Sequence, residues 1–256
     1  MFRSFWQRCI VAFGLVLFAT APTVVAQPDP ERIQLTCSDG AQVYGFWYTK
    51  EMVTGTPVAL LLHNPGATHA HWGPLLEPLL DAGFRVLAID FRGHGASKEL
   101  TPEIFTQMSR RETEAYAGMI HDVEAAVQWL TSVQKVGPER IAVVGGEYSA
   151  DLALQALAQN RKLGGVVAMS PSQTYFGFPL VETAKKIGNK PILVLVPKQI
   201  LNEGASQMQA VHEKNPGFEL KVYPRYEHHG VHMLGLSWKV EETIVRWLGK
   251  VFGTKP

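Results

Sequence analysis

Ile141-Ala142-Val143-Val144-Gly145-Gly146-Glu147-Tyr148-Ser149-Ala150 is the stretch on which the reading of this chain turns. An apolar strand runs through a small-residue turn straight into a helix. Where a strand turns so sharply, its backbone nearly touches that of the helix. The residues two before and two after the apex must then be small. Gly145 and Ser149 meet that demand around Glu147. With Ser149 at the apex, Glu147 and Asp151 would fall at the crowded positions, where carboxylate side chains do not fit. Glu147 therefore takes the apex, the place at which a G-x-S-x-G elbow presents a nucleophilic serine.

Working outward, apolar runs alternate with helical stretches. Arg32 to Thr36 and Val43 to Tyr48 read as an antiparallel hairpin around Ser38-Asp39-Gly40. Val58 to Leu62, Val86 to Ile89, Ile141 to Val144, Val166 to Met169, Ile192 to Val196 and Leu220 to Tyr223 are short and unalternating, as strands covered on both faces are. Helices are expected at Leu75 to Ala82, Thr113 to Val133, Tyr148 to Asn160, Val181 to Ile187, Ala205 to Glu213 and Val240 to Val251. The pattern predicts an α/β fold, a doubly wound and mostly parallel sheet of about eight strands.

In such sheets function gathers at the carboxyl ends of the strands. The third strand is followed by His63-Asn64-Pro65-Gly66-Ala67-Thr68-His69-Ala70-His71-Trp72, the fourth by Asp90-Phe91-Arg92-Gly93-His94-Gly95-Ala96-Ser97. The first resembles the H-G-x-G oxyanion loop of the α/β-hydrolase superfamily, the second its D-x-R-G-H-G-x-S loop. With the elbow and His229-Gly230 near the C-terminus, the resemblance runs in order from about Arg32 to Phe252. It is to secreted serine-hydrolase and esterase-like members, with the nucleophile serine replaced by glutamate. It implies a nucleophile after the fifth strand, an acid after the sixth or seventh, and a histidine after the last. Only about 20 residues separate the sixth and seventh strands, so no sizeable cap domain is expected.

Against that pattern the chain is deficient at three places. Glu147 has no hydroxyl, and a carboxylate attacking an ester would give an anhydride instead of a stable acyl-enzyme. No acid stands after the sixth or seventh strand. Gln199 or Ile200 takes that place, and Glu203 lies late, as a substitute acid or as an exposed residue ahead of the helix at Ala205. In the oxyanion loop Asn64 replaces the usual glycine and Pro65 has no N–H to give, so Asn64 and the Tyr148 N–H are the candidate oxyanion-type groups. His229 is retained, and with the acid missing Glu147 is expected to hold it as an ion pair. Glu147 and His229 are thus the candidate catalytic pair. His63, His69, His71, Trp72, His228 and His232 are candidate site lining. Trp72 and the Asp90, Arg92, His94, Ser97 group also have an architectural reading as packing and turn residues. The histidine clusters leave open a metal-dependent site, although no cofactor is implied.

Composition frames these readings. With 46% hydrophobic and 18% charged residues the chain suits a compact core. Residues 1–26 read as a secretory signal peptide, with Arg3 and Arg8 before an apolar run and Val24-Val25-Ala26 at its end. A retained anchor is the rival reading, but Pro22 interrupts the run short of a spanning length. Residues 27–256 then form a single α/β-hydrolase-like domain, secreted or periplasmic. Loss of Arg3 and Arg8 takes the formal charge from +1 to about −1, which implies no nucleic-acid or membrane partner. Cys9 leaves with the leader, so Cys37 makes no internal disulfide and is expected to be a buried strand residue. The expected function is an exported hydrolase homologue with a degenerate triad, noncatalytic or weakly active, binding a small or extended ligand in the ancestral cleft. The alternatives are altered chemistry, with Glu147 as nucleophile or base beside His229, and metal dependence.

Overall fold

In the computed structural model, residues 29–50, 55–172, 175–224 and 228–254 are described. The expected leader over residues 1–26 lies outside them. Eight strands are β1 (Glu31–Thr36), β2 (Gln42–Tyr48), β3 (Val58–Leu62), β4 (Arg85–Asp90), β5 (Ile141–Gly146), β6 (Gly165–Met169), β7 (Ile192–Pro197) and β8 (Phe218–Tyr223). They form one sheet in the order β1-β2-β4-β3-β5-β6-β7-β8. β1 pairs antiparallel with β2 and β2 with β4, while every other pair is parallel. The sheet is the one expected, entry hairpin included.

β3 to β7 are buried along their whole length, which explains their unbroken apolar sequences. Their side chains alternate between two cores. Leu60 and Leu62 join one core with residues of α4 (Met119–Ser132), α5 (Tyr148–Gln159), α6 (Leu180–Ile187) and α7 (Ala205–Val211). Ala59 and Leu61 join the other, under α1 (Gly73–Asp81) and α8 (Val240–Phe252). Between β6 and β7 the described residues hold α6 and no other helix, so no large cap covers the site. No helix among the described residues is long and apolar enough to cross a membrane.

Two helices differ from expectation. The span Thr113 to Val133 divides at Gly118 into α3 (Thr113–Ala117) and α4, and α2 (Pro102–Ser109) precedes it unforeseen. Only Met108 of α2 is buried, so its apolar signal was too thin to read. Cys37 is buried as expected, but it follows β1 instead of lying in it, and its Sγ donates to Asp122 Oδ1 at 3.2 Å.

Candidate active site

The elbow is built as its small residues demand. Glu147 takes φ 54° and ψ −126°, a left-handed conformation that a side-chain-bearing residue adopts only when its surroundings impose it. Its N–H donates to the Met169 carbonyl at 2.8 Å, fixing the apex to β6. A Cβ added to Gly145 would lie 2.1 Å from the Ser149 carbonyl oxygen, which is the close strand-to-helix approach read from the sequence. Ser149 is fully buried, its Oγ donating to the His63 carbonyl at 2.5 Å, so it is a strut and not a nucleophile.

The Glu147 carboxylate is held from two sides. The Asn64 Nδ2 donates to Oε1 at 2.7 Å, and the Nδ1 of His229 lies 2.5 Å from the same oxygen. That is ion-pair distance, although the ring is turned so that its N–H does not aim along the line to the oxygen. Burial pushes the Glu147 carboxyl above its ordinary pKa, while His229 and the Asn64 amide pull it back. The expected approach of His229 to Glu147 across the site is present as a 2.5 Å contact.

Asn64 is the residue whose part the sequence did not reveal. Its Oδ1 accepts the Val231 N–H at 3.0 Å, so one buried amide joins the loop after β3, the elbow and the histidine loop. Opposite chemistry at its two ends, an acceptor-only carboxylate and a main-chain donor, fixes its orientation. The slot exists because Gly146 and Gly230 have no side chains: a Cβ on either would fall 2.2 or 2.3 Å from Asn64 Oδ1. The side-chain N–H that could have served an oxyanion is therefore engaged by Glu147. The Tyr148 N–H, at the first turn of α5 where main-chain donors have no intrahelical acceptor, is the remaining family-type donor. Ser170, at φ 58°, accepts the Gly230 N–H on its Oγ at 3.1 Å and steadies the histidine loop from β6.

Two expected lining residues, Trp72 and His63, are corrected. Trp72 is fully buried under α1. His63 is fully buried too, its Nδ1 against the Asn64 carbonyl at 2.7 Å and its Nε2 accepting the Phe91 N–H at 3.2 Å. Burial and the neighbouring His94 lower its pKa to about 3, so it stays neutral with both nitrogens occupied. His69 turns toward Asp90 Oδ1, 3.0 Å from its Nδ1, and stacks on Phe46. The structure brings His71, His228 and His232 near one another. His71 and His232 meet edge to face with centroids 5.7 Å apart, and His232 is lowered by partial burial and by His71, His229 and His228. Among the described residues no three His, Cys, Asp or Glu side chains are grouped to hold a metal. Glu203 is exposed and makes no ion pair with His229 among the described residues.

The Asp90 loop is architectural. Asp90 accepts the N–H of His69 at 2.7 Å and of Ala96 at 2.8 Å, and Ser97 Oγ donates to its carbonyl at 2.5 Å. Phe176, also left-handed at φ 48°, stacks on Tyr116 at 3.9 Å. With Tyr148, Gln155, Phe178, Thr183 and Lys186 it lines an open cleft of about 340 Å³.

These features have counterparts elsewhere. A sequence model described as the alpha/beta hydrolase fold matches residues 57–190. The chain belongs to the α/β-hydrolase family. This hydrolase-family chain is 27% identical over 145 residues to the uncharacterized protein YfhR of Escherichia coli O157:H7, covering 54% of this chain and 46% of that protein. It is 25% identical over 144 residues to the uncharacterized protein Rv2307c of Mycobacterium tuberculosis, covering 56% and 46%. The chain thus spans about half the length of the curated relatives it matches. Among solved structures, the Pyrococcus furiosus esterase Pf2001 superposes with a TM-score of 0.68 at 20% identity, covering 88% of this chain and 92% of that one. Dienelactone hydrolase from Anabaena variabilis gives 0.66 at 16%, covering 89% and 98%. At such identities the likeness is one of fold.

Asp151, one turn along α5, is a further, fully buried carboxyl. Its Oδ1 accepts the Ser172 N–H at 3.2 Å and its Oδ2 has no partner among the described residues. Burial raises its pKa well above the carboxylate range, against the smaller pull of the Ser172 N–H. A carboxyl whose folded pKa is raised binds its proton more tightly folded than unfolded. Its stabilisation is complete below the unfolded value of about 4 and declines as pH rises beyond it. Asp151→Asn retains the acceptor and cannot ionise. Its melting temperature is expected to exceed the parent's at pH 8 and to match it near pH 4. A difference that does not grow with pH would refute this.

Proposed function

We propose that this chain is an exported α/β-hydrolase-family protein that no longer performs serine-ester chemistry. It binds a small or extended ligand at the open mouth of the ancestral cleft, with at most residual turnover. One observation carries this reading: the elbow carboxylate is held by Asn64 and His229 on the same oxygen, so the retained histidine faces an ion-pair partner instead of a hydroxyl it could activate. The missing acid and Pro65 in the oxyanion loop support it. The leader-like residues 1–26 support export to the periplasm or exterior, and the near-neutral charge supports a partner other than nucleic acid or membrane.

A second reading has one observation in its favour. With Nδ1 2.5 Å from Glu147 Oε1, the Nε2 of His229 is left for another group, and the side chain is 43% exposed. Glu147 would then orient His229 as a base for water, as the carboxylate of a triad does. Hydrolysis of short-chain esters, epoxides and haloalkanes by the chain from Gln27, beside Glu147→Gln, separates the two. The proposal expects no turnover above background that depends on the carboxylate. Turnover that Glu147→Gln abolishes, with the fold intact by circular dichroism, would overturn it in favour of the dyad.

A further inference from the structure

β8 ends the sheet, and its outer edge carries no strand among the described residues. The Ile192 N–H donates to the Gly217 carbonyl at 3.0 Å, in a parallel register that sets Ile192 beside Phe218. Gly217, Glu219 and Lys221 therefore turn their main-chain groups toward β7. By the alternation of a strand, Leu220 and Val222 turn theirs outward. Val222 is 39% exposed, and Phe218 and Leu220, on its face of the strand, are half-buried.

An outer edge with open N–H and C=O groups is a template for another strand, and a lysine commonly blunts it. Here Lys221 makes no ion pair among the described residues, while Glu219, on the same face, reaches Lys250 of α8 at 2.7 Å. Charges of opposite sign two residues apart are self-complementary. In an antiparallel pairing with Leu220 on a two-fold axis, Glu219 of each copy lies directly opposite Lys221 of the other. Leu220 then meets Leu220, and Phe218 meets Val222 on the second face. Moving the axis to Glu219 or to Lys221 would place like charges opposite each other, which is unfavourable. We infer that β8 is the contact surface for a second copy of this chain, joined strand to strand about Leu220 to continue the sheet across the dimer.

The test is the association state of the chain from Gln27, measured by sedimentation equilibrium. A strand-edge contact lies at the small end of interfaces, so protein concentrations reach about 100 µM. Lys221→Glu and Glu219→Lys each put like charges opposite each other and are expected to weaken the dimer roughly tenfold or more. Both substitutions lie on an exposed surface, so the fold is retained, as circular dichroism would verify. The double reversal Glu219→Lys with Lys221→Glu, and an equimolar mixture of the two single variants, are expected to restore association. A parent chain that stays monomeric, single reversals without effect, or losses that neither the double reversal nor the mixture repairs would overturn the pairing.

Discussion

Arg92→Leu is expected to destabilise the protein by about 3–5 kcal/mol, the loss typical of removing one partner from a buried ion pair. Arg92 and Asp122 are both almost wholly withdrawn from solvent, at 5% and 0% side-chain exposure. The guanidinium reaches Asp122 Oδ1 through Nη2 at 2.7 Å and Nε at 2.8 Å, and the Arg92 N–H donates to Oδ2 at 2.9 Å. Asp39 takes the remaining fork at 2.5 Å, tying the turn after β1 to the loop after β4. Burial raises the Asp122 pKa above its ordinary value, and Arg92 is the main influence opposing that rise. Leucine leaves Asp122 charged and unpaired, or neutral at the cost of taking up a proton. At about 2–4 °C per kcal/mol the melting temperature should fall by roughly 10 °C. Arg92→Leu with Asp122→Leu should recover part of that loss, because no charge is then left buried. A single variant that melts within 2–3 °C of the parent would refute the buried network as a main source of stability.

Gly145→Ala is expected to cost about 3 kcal/mol or more and to disorganise the elbow. The added Cβ meets main chain, at 2.1 Å from the Ser149 oxygen, 2.5 Å from its carbonyl carbon and 2.8 Å from the Ala150 nitrogen. Helix α5 would have to withdraw from β5, a displacement beyond ordinary overpacking. Glu147 would leave Asn64 and His229 in the same movement. Urea denaturation reads the stability. A variant as stable as the parent would mean that strand and helix are not in close contact, and would remove the reason for reading Glu147 as the apex.

The elbow was legible because its constraint is local: a small residue on each side of one apex can be checked within a few positions. The strands were legible for a similar reason, each being a short apolar run buried on both faces. Local information failed where partners come from distant segments. Nothing near Asn64 announces that its amide will fill a slot left by Gly146 and Gly230. The same holds for Asp122, whose pairing with Arg92 lies across 30 positions. His63, His69 and Trp72 sit in a loop that leads toward the site, and their residue types suit a site lining. The loop instead turns His63 and Trp72 inward, where His63 serves the Phe91 N–H, while the partly exposed His69 serves Asp90. Gly118, inside an otherwise continuous helical pattern, marks the break between α3 and α4.

The altered elbow is thus a coupled set. Glu147 supplies a carboxylate, Asn64 an amide that reaches it, and two glycines the room for that amide. His229 stays where a hydrolase would keep it and meets an acid in place of a hydroxyl. At the apex itself the difference from an acyl-transfer site is one side chain, held in a conformation the elbow imposes. The missing acid and Pro65 stand beside it as further differences.

Glu147→Ser tests that claim most directly. The account predicts that a serine at the apex, beside His229 and the Tyr148 N–H, is acylated by p-nitrophenyl acetate. A burst of nitrophenolate near one equivalent per chain should appear, then a slow steady state, since no acid orients His229. The parent chain should show no burst. A folded Glu147→Ser variant that releases no burst, or a parent that releases an equal one, would contradict the placement of Glu147 at a silenced nucleophile position.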